Sequence, residues 1–299
     1  MLGRLKKLCP EPIKKSLLRF GTEYRNSPIR KRLAFKFRRL TWRGRDYPDF
    51  IIIGSQKSGT TSLFHYLAAL PGFKPSTKKE IKYFDGGLHS NMDSFHKGEQ
   101  WYKSYFPLFK NFRKRNLSYE ASTSYIFKPH AAERILQTIP DVKLIALLRN
   151  PTERAISHYF HNVSKGREPL SIEQALQEEE TRINQAVNAE DYRDKNYQNF
   201  SYKKRGLYIE QIENYLKYFP RERLLIINSE DLFIKKNETL NRICHFLDVK
   251  TDIGKKEIGA RNVSKTRTKI DPKVYSTLDE YFETYNKALF ELIGEDFGW

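Results

Sequence analysis

The sequence has little of what several protein classes require. Its two cysteines, Cys9 and Cys244, are too few for a disulfide framework or a cysteine-based zinc site. No apolar run approaches the roughly 18 residues of a bilayer-spanning helix. The seven histidines show no metal-ligand spacing, so we expect no metal. Aromatic residues make up 14% of the chain, which is too many for a disordered protein.

Acidic residues are in deficit, and the excess of basic residues is uneven. The net charge is +18, and residues 1–47 hold 15 Lys and Arg against 3 Asp and Glu. We therefore divide the chain into a basic N-terminal arm, 1–47, and a domain, 48–299. The arm suits an anionic partner, namely nucleic acid, a phospholipid surface or an acidic polysaccharide, but a solvated tail is an equal alternative. It shows no apolar core of a signal peptide, which favours a cytoplasmic location, peripheral if the arm binds a membrane, over the Golgi lumen.

Strand and helix patterns alternate from residue 49 onward. Short apolar, β-branched runs predict buried strands, and apolar residues at helical spacing predict helices between them. This alternation predicts an α/β domain of three layers, a parallel sheet flanked by helices, with ligands at the carboxyl ends of the strands. The predicted strands are 49–54, 142–148 and 223–227; the predicted helices include 60–70, 171–188, 208–219, 240–247 and 274–292; 186–206 and 254–272 are predicted loops. Asn150 as N-cap and Pro151 as first residue predict the start of a further helix.

A strand–loop–helix segment over residues 50–63 is the most informative feature. Its glycines allow backbone N–H groups to converge on an anion, and the following helix adds its N-terminal N–H groups and dipole. The chain also places one ammonium group and several hydroxyl donors there. The alternative is a tight turn with incidental polar residues. The residues predicted to hold an anion are Lys57, Ser58, Gly59, Thr60 and Thr61.

The loop differs from the phosphate loop of nucleotide triphosphatases. Gly54 and Gly59 have the separation of that motif, but Thr60 stands where its lysine is expected. The strand over 142–148 is followed by Arg149 rather than by a magnesium-binding Asp. Both differences weigh against magnesium-dependent triphosphate hydrolysis.

The run G-S-Q-K-S-G-T-T-S-L resembles the 5′-phosphosulfate loop of sulfotransferases, whose donor is 3′-phosphoadenosine 5′-phosphosulfate (PAPS). A second motif, from Leu144 to Tyr159, is similar to the family's strand ending in Arg and helix bearing Ser. The resemblance implies that Arg149 and Ser157 bind the 3′-phosphate of the donor. It also implies that Lys57 stabilises the departing phosphate, without a metal. Taken alone, Arg149 is also compatible with a structural salt bridge.

Residues 79–85, K-E-I-K-Y-F-D, resemble a segment of the heparan sulfate (glucosaminyl 3-O- and N-) sulfotransferases. The resemblance implies Glu80 as the general base, with an ion pair to Lys79 or Lys82 as its alternative role. It implies acceptor contacts from Lys79, Lys82, Tyr83 and Asp85. The stretch from Ser264 to Pro272 resembles the loop that closes over the donor, with Lys265, Thr266 and Arg267 as donor contacts.

The acceptor side departs from that group. Ala121 stands where its glucosaminyl 3-O-sulfotransferases have a lysine, so heparan sulfate is not inferred as the acceptor. We expect the acceptor to be a hydroxyl group of a glycan or glycolipid, and less favourably an amine. An anionic membrane surface is an optional partner of the arm, and we expect no nucleic acid as a partner. Two alternatives stay open: a P-loop kinase or triphosphatase, and a non-enzymatic polyanion or membrane binder acting through the arm.

Overall fold

The computed structural model describes residues 28–87, 93–108, 116–251, 253 and 270–299. At its centre five parallel strands form one sheet. The strands are β1 (Phe50–Gly54), β2 (Phe73–Pro75), β3 (Leu117–Ala121), β4 (Lys143–Leu148) and β5 (Leu224–Asn228). Their order across the sheet is β2-β3-β1-β4-β5, which leaves β1 between β3 and β4.

Helices connect the strands and cover the sheet. Those of the described residues are α1 (Pro28–Leu40), α2 (Thr60–Ala69), α3 (Gly98–Lys103), α4 (Pro129–Thr138), α5 (Pro151–Val163), α6 (Ile172–Gln177), α7 (Glu179–Asn188), α8 (Lys195–Phe200), α9 (Tyr208–Leu216), α10 (Ser229–Ile234), α11 (Lys236–Phe246) and α12 (Pro272–Ile293).

The two faces of the sheet bury different side chains. Phe50 and Ile52 belong to a core with residues of α2 and α11, whereas Ile51 and Ile53 belong to a core with residues of α4, α9 and α12. This division follows from the alternation of side chains along a strand, and every residue of β1 is buried. The predicted three-layer α/β fold with a parallel sheet is therefore confirmed.

Several local predictions were incomplete. The strands β2 and β3 were missed, because β2 is short and β3 reads L-S-Y-E-A, with polar residues that the fold nevertheless buries. The predicted loop 186–206 was partly wrong. It contains α8, whose first turn is capped by the Asp194 carboxylate accepting from the Tyr197 N–H at 2.9 Å. The helix predicted over 171–188 is two helices, α6 and α7.

The described part of the basic arm contacts the body of the domain. The Arg45 guanidinium is buried and donates to the Phe106 carbonyl at 2.5 Å, and the ring of Phe35 lies 5.1 Å from that of Tyr105. None of the helices in the described ranges is both long and apolar enough to span a bilayer.

Candidate active site

Three loops meet at the carboxyl edge of the sheet. They follow β1, β3 and β4, which are neighbours. The chain runs from β1 to β2 and β3 on one side of β1, and then to β4 and β5 on the other side. Such a reversal of strand order opens a crevice at the strand ends. The loops after β1 and β4 carry residues that the sequence predicts to bind the donor. The predicted acceptor segment follows β2, and the hydrogen bond from the Glu80 N–H to the Ala121 carbonyl places it at the end of β3.

Buried hydroxyl groups hold the loop after β1 on the side that faces the protein interior. The Ser55 N–H donates to the Leu147 carbonyl of β4 at 2.7 Å, and the Ser55 and Ser58 hydroxyls are hydrogen-bonded to each other. The Ser229 hydroxyl donates to the Ser58 carbonyl at 2.9 Å. The hydroxyl of Tyr208 lies 3.4 Å from that of Ser55. Because the Ser58 side chain is committed to this support, Ser58 offers the loop's interior its backbone rather than its hydroxyl.

Two glycines of this loop have no room for a side chain. A Cβ on Gly54 would lie 2.3 Å from Ile126, and one on Gly59 would lie 2.8 Å from the ring of Phe233. Gly59 also has φ +82°, a left-handed conformation that glycine adopts without steric cost. It precedes α2, whose first residues are Thr60, buried, and Thr61, half-buried. The predicted anion loop therefore has the tight backbone turn that its sequence required.

The Arg149 side chain lies over this loop. Its Nη1 donates to the Lys57 carbonyl at 3.3 Å, and its Nη2 pairs with the Glu153 carboxylate at 3.0 Å. Both roles considered for Arg149 are thus compatible with its position, since the ion pair holds the guanidinium beside the loop. Burial and then the nearby Arg149 charge lower the pKa of Lys57. Such crowding of two cations indicates a place where an anion binds.

Ser157 lies on the same side of α5 as Glu153, one turn further on, and is half-buried. The start of this helix is built as its sequence predicts: the Asn150 side chain accepts from the Glu153 N–H at 3.1 Å, and Pro151 follows it. Arg149 thus precedes the start of α5, and Ser157 lies nearly two turns into the same helix.

Glu80 is held at the end of β3. Its N–H donates to the Ala121 carbonyl at 2.8 Å, and its carboxylate accepts from the Thr123 N–H at 3.2 Å and from the Thr123 hydroxyl at 3.1 Å. Lys79 pairs with it at 2.7 Å, which realises the ion pair considered as its alternative role. The side chain remains 29% exposed, so the carboxylate stays accessible to an incoming group.

Backbone strain coincides with the predicted catalytic residues. Five non-glycine residues of the described ranges have positive φ, and three of them are Lys57, Glu80 and Lys82, with φ of 72°, 59° and 59°. Each such residue costs about 1–3 kcal/mol unless its surroundings impose it. At Lys82 the surroundings impose this conformation, because its N–H donates to the Ser122 hydroxyl at 3.1 Å and its carbonyl accepts from the Ser94 hydroxyl. Lys57 follows β1, and Glu80 is hydrogen-bonded to the end of β3, the neighbour of β1.

The other predicted acceptor residues differ in exposure. Tyr83 and Asp85 are buried; the ring of Tyr83 stacks on Tyr102 at 4.5 Å, and the Asp85 carboxylate accepts from Ser124 and from the Gly87 N–H. The aromatic residues of this region are mostly part of the hydrophobic core. Direct acceptor contact by Tyr83 and Asp85 stays a prediction, while Lys79 and Lys82 are half-buried.

Glu120, which the sequence did not single out, is a buried carboxyl group close to Glu80. It accepts from the Tyr102 hydroxyl at 2.6 Å, from Ser122 at 2.9 Å and from Tyr125 at 3.2 Å. Burial raises the pKa of Glu120 to about 7, and the charge of Glu80 adds to this rise. In the sequence, the only sign of this buried carboxyl group is a glutamate within the short segment that the fold buries as β3.

Two buried cations were also missed. Lys128 follows the short 3-10 turn Tyr125–Phe127, and Arg205 ends the polar run before α9. In the described part of the chain, Lys128 Nζ and Arg205 Nε have no hydrogen-bond partner. Lys128 Nζ lies 4.8 Å from the centre of the Tyr197 ring, and the guanidinium carbon of Arg205 lies 4.1 Å from the centre of the Phe127 ring. Burial lowers the pKa of both, that of Arg205 to about 10.

Lys265, Thr266 and Arg267 lie outside the described residues. Within those residues no group of His, Cys, Asp and Glu side chains is arranged to hold a metal ion. A cavity of about 290 Å³ opens beside Gly86, with His130, Arg134, Tyr192 and Arg193 among its lining residues. Neither Lys57 nor Glu80 lines it, so it is separate from the crevice at the strand ends.

Known proteins resemble this chain in sequence and in structure. The sulfotransferase domain pattern matches residues 47–288. The membrane-associated sulfotransferase kil1 of Dictyostelium discoideum is 28% identical, over 84% of this chain and 66% of its own length. The mouse heparan sulfate glucosamine 3-O-sulfotransferase 3B1 is 28% identical, over 84% and 65%. The chain thus spans just under two thirds of the length of these relatives. A sulfotransferase crystal structure from Alicyclobacillus acidocaldarius superposes with a TM-score of 0.65 at 29% identity, covering 84% of this chain and 97% of that one.

Proposed function

The chain belongs to the sulfotransferase domain family, and from this premise we propose that it transfers a sulfuryl group from PAPS to a hydroxyl group of a carbohydrate. One observation carries the proposal. The strained Lys57 loop, with Arg149 lying over it, and the clamped Glu80 carboxylate stand at adjacent strand ends. The first suits a phosphosulfate donor, and the second suits an acceptor hydroxyl.

On the donor side, the backbone N–H groups of residues 57–61 and the start of α2 hold the 5′ end of PAPS. Lys57 stabilises the negative charge that grows on the departing phosphate. Burial and the charge of Arg149 lower the pKa of Lys57. Arg149 and Ser157 hold the 3′-phosphate. Lys265, Thr266 and Arg267 are retained as the donor contacts of the closing loop. Because these groups are cations and backbone dipoles, the transfer needs no metal.

On the acceptor side, Glu80 takes the proton of the attacking hydroxyl. The acceptor oxygen forms a bond to sulfur while the bond between sulfur and the donor's phosphate oxygen breaks, and the electron pair leaves with the phosphate. Thr123 orients the carboxylate through two hydrogen bonds, and Lys79 forms an ion pair with it. Positioning of this kind supplies most of the rate enhancement in group transfer between charged substrates.

For the acceptor we propose a glycan or glycolipid hydroxyl, since several relatives are named as heparan sulfate sulfotransferases. Lys79 and Lys82 are the half-buried cations closest to Glu80 in the chain and would face an acidic sugar chain. Tyr83 and Asp85 are buried and support residues 79–82 from the interior of the protein. Ala121 leaves the position of the relatives' lysine without a charge, so we assign no heparan sulfate regiochemistry.

We propose an anionic membrane surface as a second partner, bound through the basic N-terminal part. Residues 1–47 carry a net charge of +12, and one relative is named as membrane-associated. The enzyme is then peripheral at a membrane. The prediction of a cytoplasmic location has no support among the relatives and stays a prediction.

Calorimetric titration with 3′-phosphoadenosine 5′-phosphate and with ADP, both without magnesium, tests the donor. We expect the 3′-phosphorylated nucleotide to bind and ADP to bind much more weakly. Arg149→Ala should weaken the first affinity about ten- to a hundredfold, because it removes charged hydrogen bonds. The matched control is Arg242→Ala, which removes an exposed arginine paired with Glu295 at 2.6 Å on another surface.

Equal binding of both nucleotides, or binding that requires magnesium, would favour the kinase or triphosphatase alternative. A chain that binds neither nucleotide but retains a polyanion would support the non-enzymatic one. Transfer of labelled sulfate from PAPS to a panel of glycans then identifies the acceptor.

A further inference from the structure

An exposed apolar stripe runs along the outer side of helix α1. Of the seven large apolar side chains that are exposed in the described residues, three lie on this helix: Leu33 at 60%, Phe37 at 57% and Leu40 at 81% exposure. Their spacing of four and three residues puts them on one helix face, within about 60° of one another. We call these three residues the α1 stripe.

The orientation of the helix is fixed by contacts of the opposite face. The ring of Phe35 lies 5.1 Å from that of Tyr105. Arg39 and Gln100 exchange two hydrogen bonds of 3.1 Å, one from the guanidinium and one to the Arg39 carbonyl. Because residues 35 and 39 point to the body of the protein, the α1 stripe points away from it.

Cations flank the α1 stripe on both sides. Six of the 13 residues of α1 are Lys or Arg, and none is acidic. At 100° per residue, Arg30 lies beside the stripe on one edge, and Lys36 and Arg32 lie along the other. A helix with an apolar stripe between rows of cations lies in the plane of a bilayer, where the stripe enters the acyl boundary and the cations meet anionic headgroups.

Charge decides between the occupants of this face. A second copy of the chain would bring two basic helices together. Residues 1–27 are basic too, with 7 Lys and Arg against 2 Glu, so they are repelled by the same face. Nucleic acid would satisfy the cations but gains nothing from three aliphatic and aromatic side chains. An anionic lipid surface satisfies both parts.

We propose that the α1 stripe inserts into the surface of an anionic bilayer and docks the enzyme there. The proposal rests on the membrane partner proposed above and is independent of sulfuryl transfer. Since α1 packs through Phe35 and Arg39 on the body of the domain, insertion would hold the catalytic domain in one orientation on the membrane rather than on a flexible tether.

Cosedimentation of the full chain with vesicles tests the proposal. The vesicles are phosphatidylcholine alone or mixed with phosphatidylserine. We compare the parent with a stripe variant, Leu33→Ser, Phe37→Ser and Leu40→Ser, which keeps every charge. The control variant, Val163→Ser, Ile234→Ser and Leu292→Ser, removes three exposed apolar side chains elsewhere. Retained binding of 3′-phosphoadenosine 5′-phosphate shows that each variant is folded.

We expect the parent to bind the phosphatidylserine vesicles and not the neutral ones. The stripe variant should lose at least about tenfold in partition coefficient, and the control should stay within about twofold of the parent. Replacing Lys36 by Gln should lower the partition about fivefold, since one surface charge is lost.

If the parent binds vesicles and the stripe variant binds equally well, the stripe proposal is overturned while the membrane partner stands. If the parent does not bind vesicles, both the stripe proposal and the membrane partner are contradicted. Sulfuryl transfer to a soluble glycan is measured separately and does not depend on this result. Binding of duplex RNA without binding of vesicles, or a dimer that only the stripe variant loses, would also overturn the proposal.

Discussion

Individual residues carry the proposed chemistry, and Glu80 is the sharpest example. The sequence predicts it as a base from resemblance alone, and the structure adds the reason why its carboxylate can act. Thr123 holds both carboxylate oxygens, and the backbone at φ 59° is kept in place by the bond to Ala121. The ion pair with Lys79 is therefore compatible with a catalytic role.

Replacing Glu80 by Gln should abolish transfer and preserve donor binding. Gln keeps the size of the side chain and one of its acceptor oxygens but cannot take the proton of the acceptor hydroxyl, so the rate should fall about 10²–10⁴-fold. The measurement is sulfate transfer together with nucleotide affinity. Glu99→Gln is the control, since Glu99 also pairs with a lysine, Lys103 at 3.3 Å. Transfer at the parent rate would remove Glu80 as the base.

The buried Glu120 predicts a pH dependence of stability. Its pKa is about 7 in the folded protein against an ordinary value of 4.5, so the folded state binds the proton more tightly than the unfolded state. Stability should therefore fall as pH rises from 4.5 through 7. Glu179, whose pKa burial also raises to about 7, acts in the same direction.

Melting temperatures of the Glu120→Gln variant, measured across this pH window, should decline less steeply with rising pH than those of the parent. The part of the decline that Glu179 causes should remain. An unchanged slope would show that folding does not change the pKa of Glu120.

The donor loop and its supporting elements act as one unit. The strand β1, the loop and α2 are consecutive in sequence, but α10 closes the loop from behind through Ser229 and Phe233. The sequence therefore predicts the loop and not what rigidifies it. The α1 stripe shows the same limit, since a basic amphipathic sequence does not reveal which of its faces the domain covers.

Gly59→Ala should test that closure. The new Cβ would be 2.8 Å from Phe233, and φ there is +82°. Gly166→Ala is a matched control, because its φ is +65° and nothing lies within 4 Å of its Cβ position. We expect Gly59→Ala to destabilise the protein by about 1–3 kcal/mol more than Gly166→Ala does in denaturant unfolding, and to weaken nucleotide binding.

The additional substitution Phe233→Ala should recover most of that difference. Equal losses of stability in the two alanine variants would contradict a close approach of α10 to the loop.

For the molecule as a whole, a residue that charge assigns to the arm contacts the body of the domain. Arg45, assigned to the arm on charge, is buried and donates to Phe106 at 2.5 Å and to the Arg38 carbonyl at 3.3 Å. Charge composition is a poor guide here, since an arginine can serve as a structural donor.

Arg45→Ala should therefore lower the free energy of unfolding by about 1–3 kcal/mol, because buried carbonyls lose their donor. Arg43→Ala, at an exposed position two residues earlier, should have little effect. Thermal or denaturant unfolding of both variants checks this, and equal stability of the two would return the whole stretch to the arm.

What the sequence by itself determined is the part of the protein built from contiguous residues. The strand–loop–helix over 50–63, the Asn150 cap and the charge of the N-terminal part depend on neighbours in the chain, so their patterns predict them. Tertiary structure alone decided that Thr123 clamps Glu80, that Glu120 is buried with a raised pKa, and that Leu33, Phe37 and Leu40 face outward. These depend on contacts between segments 40 or more residues apart, or on which face another element covers, and no local pattern encodes that choice.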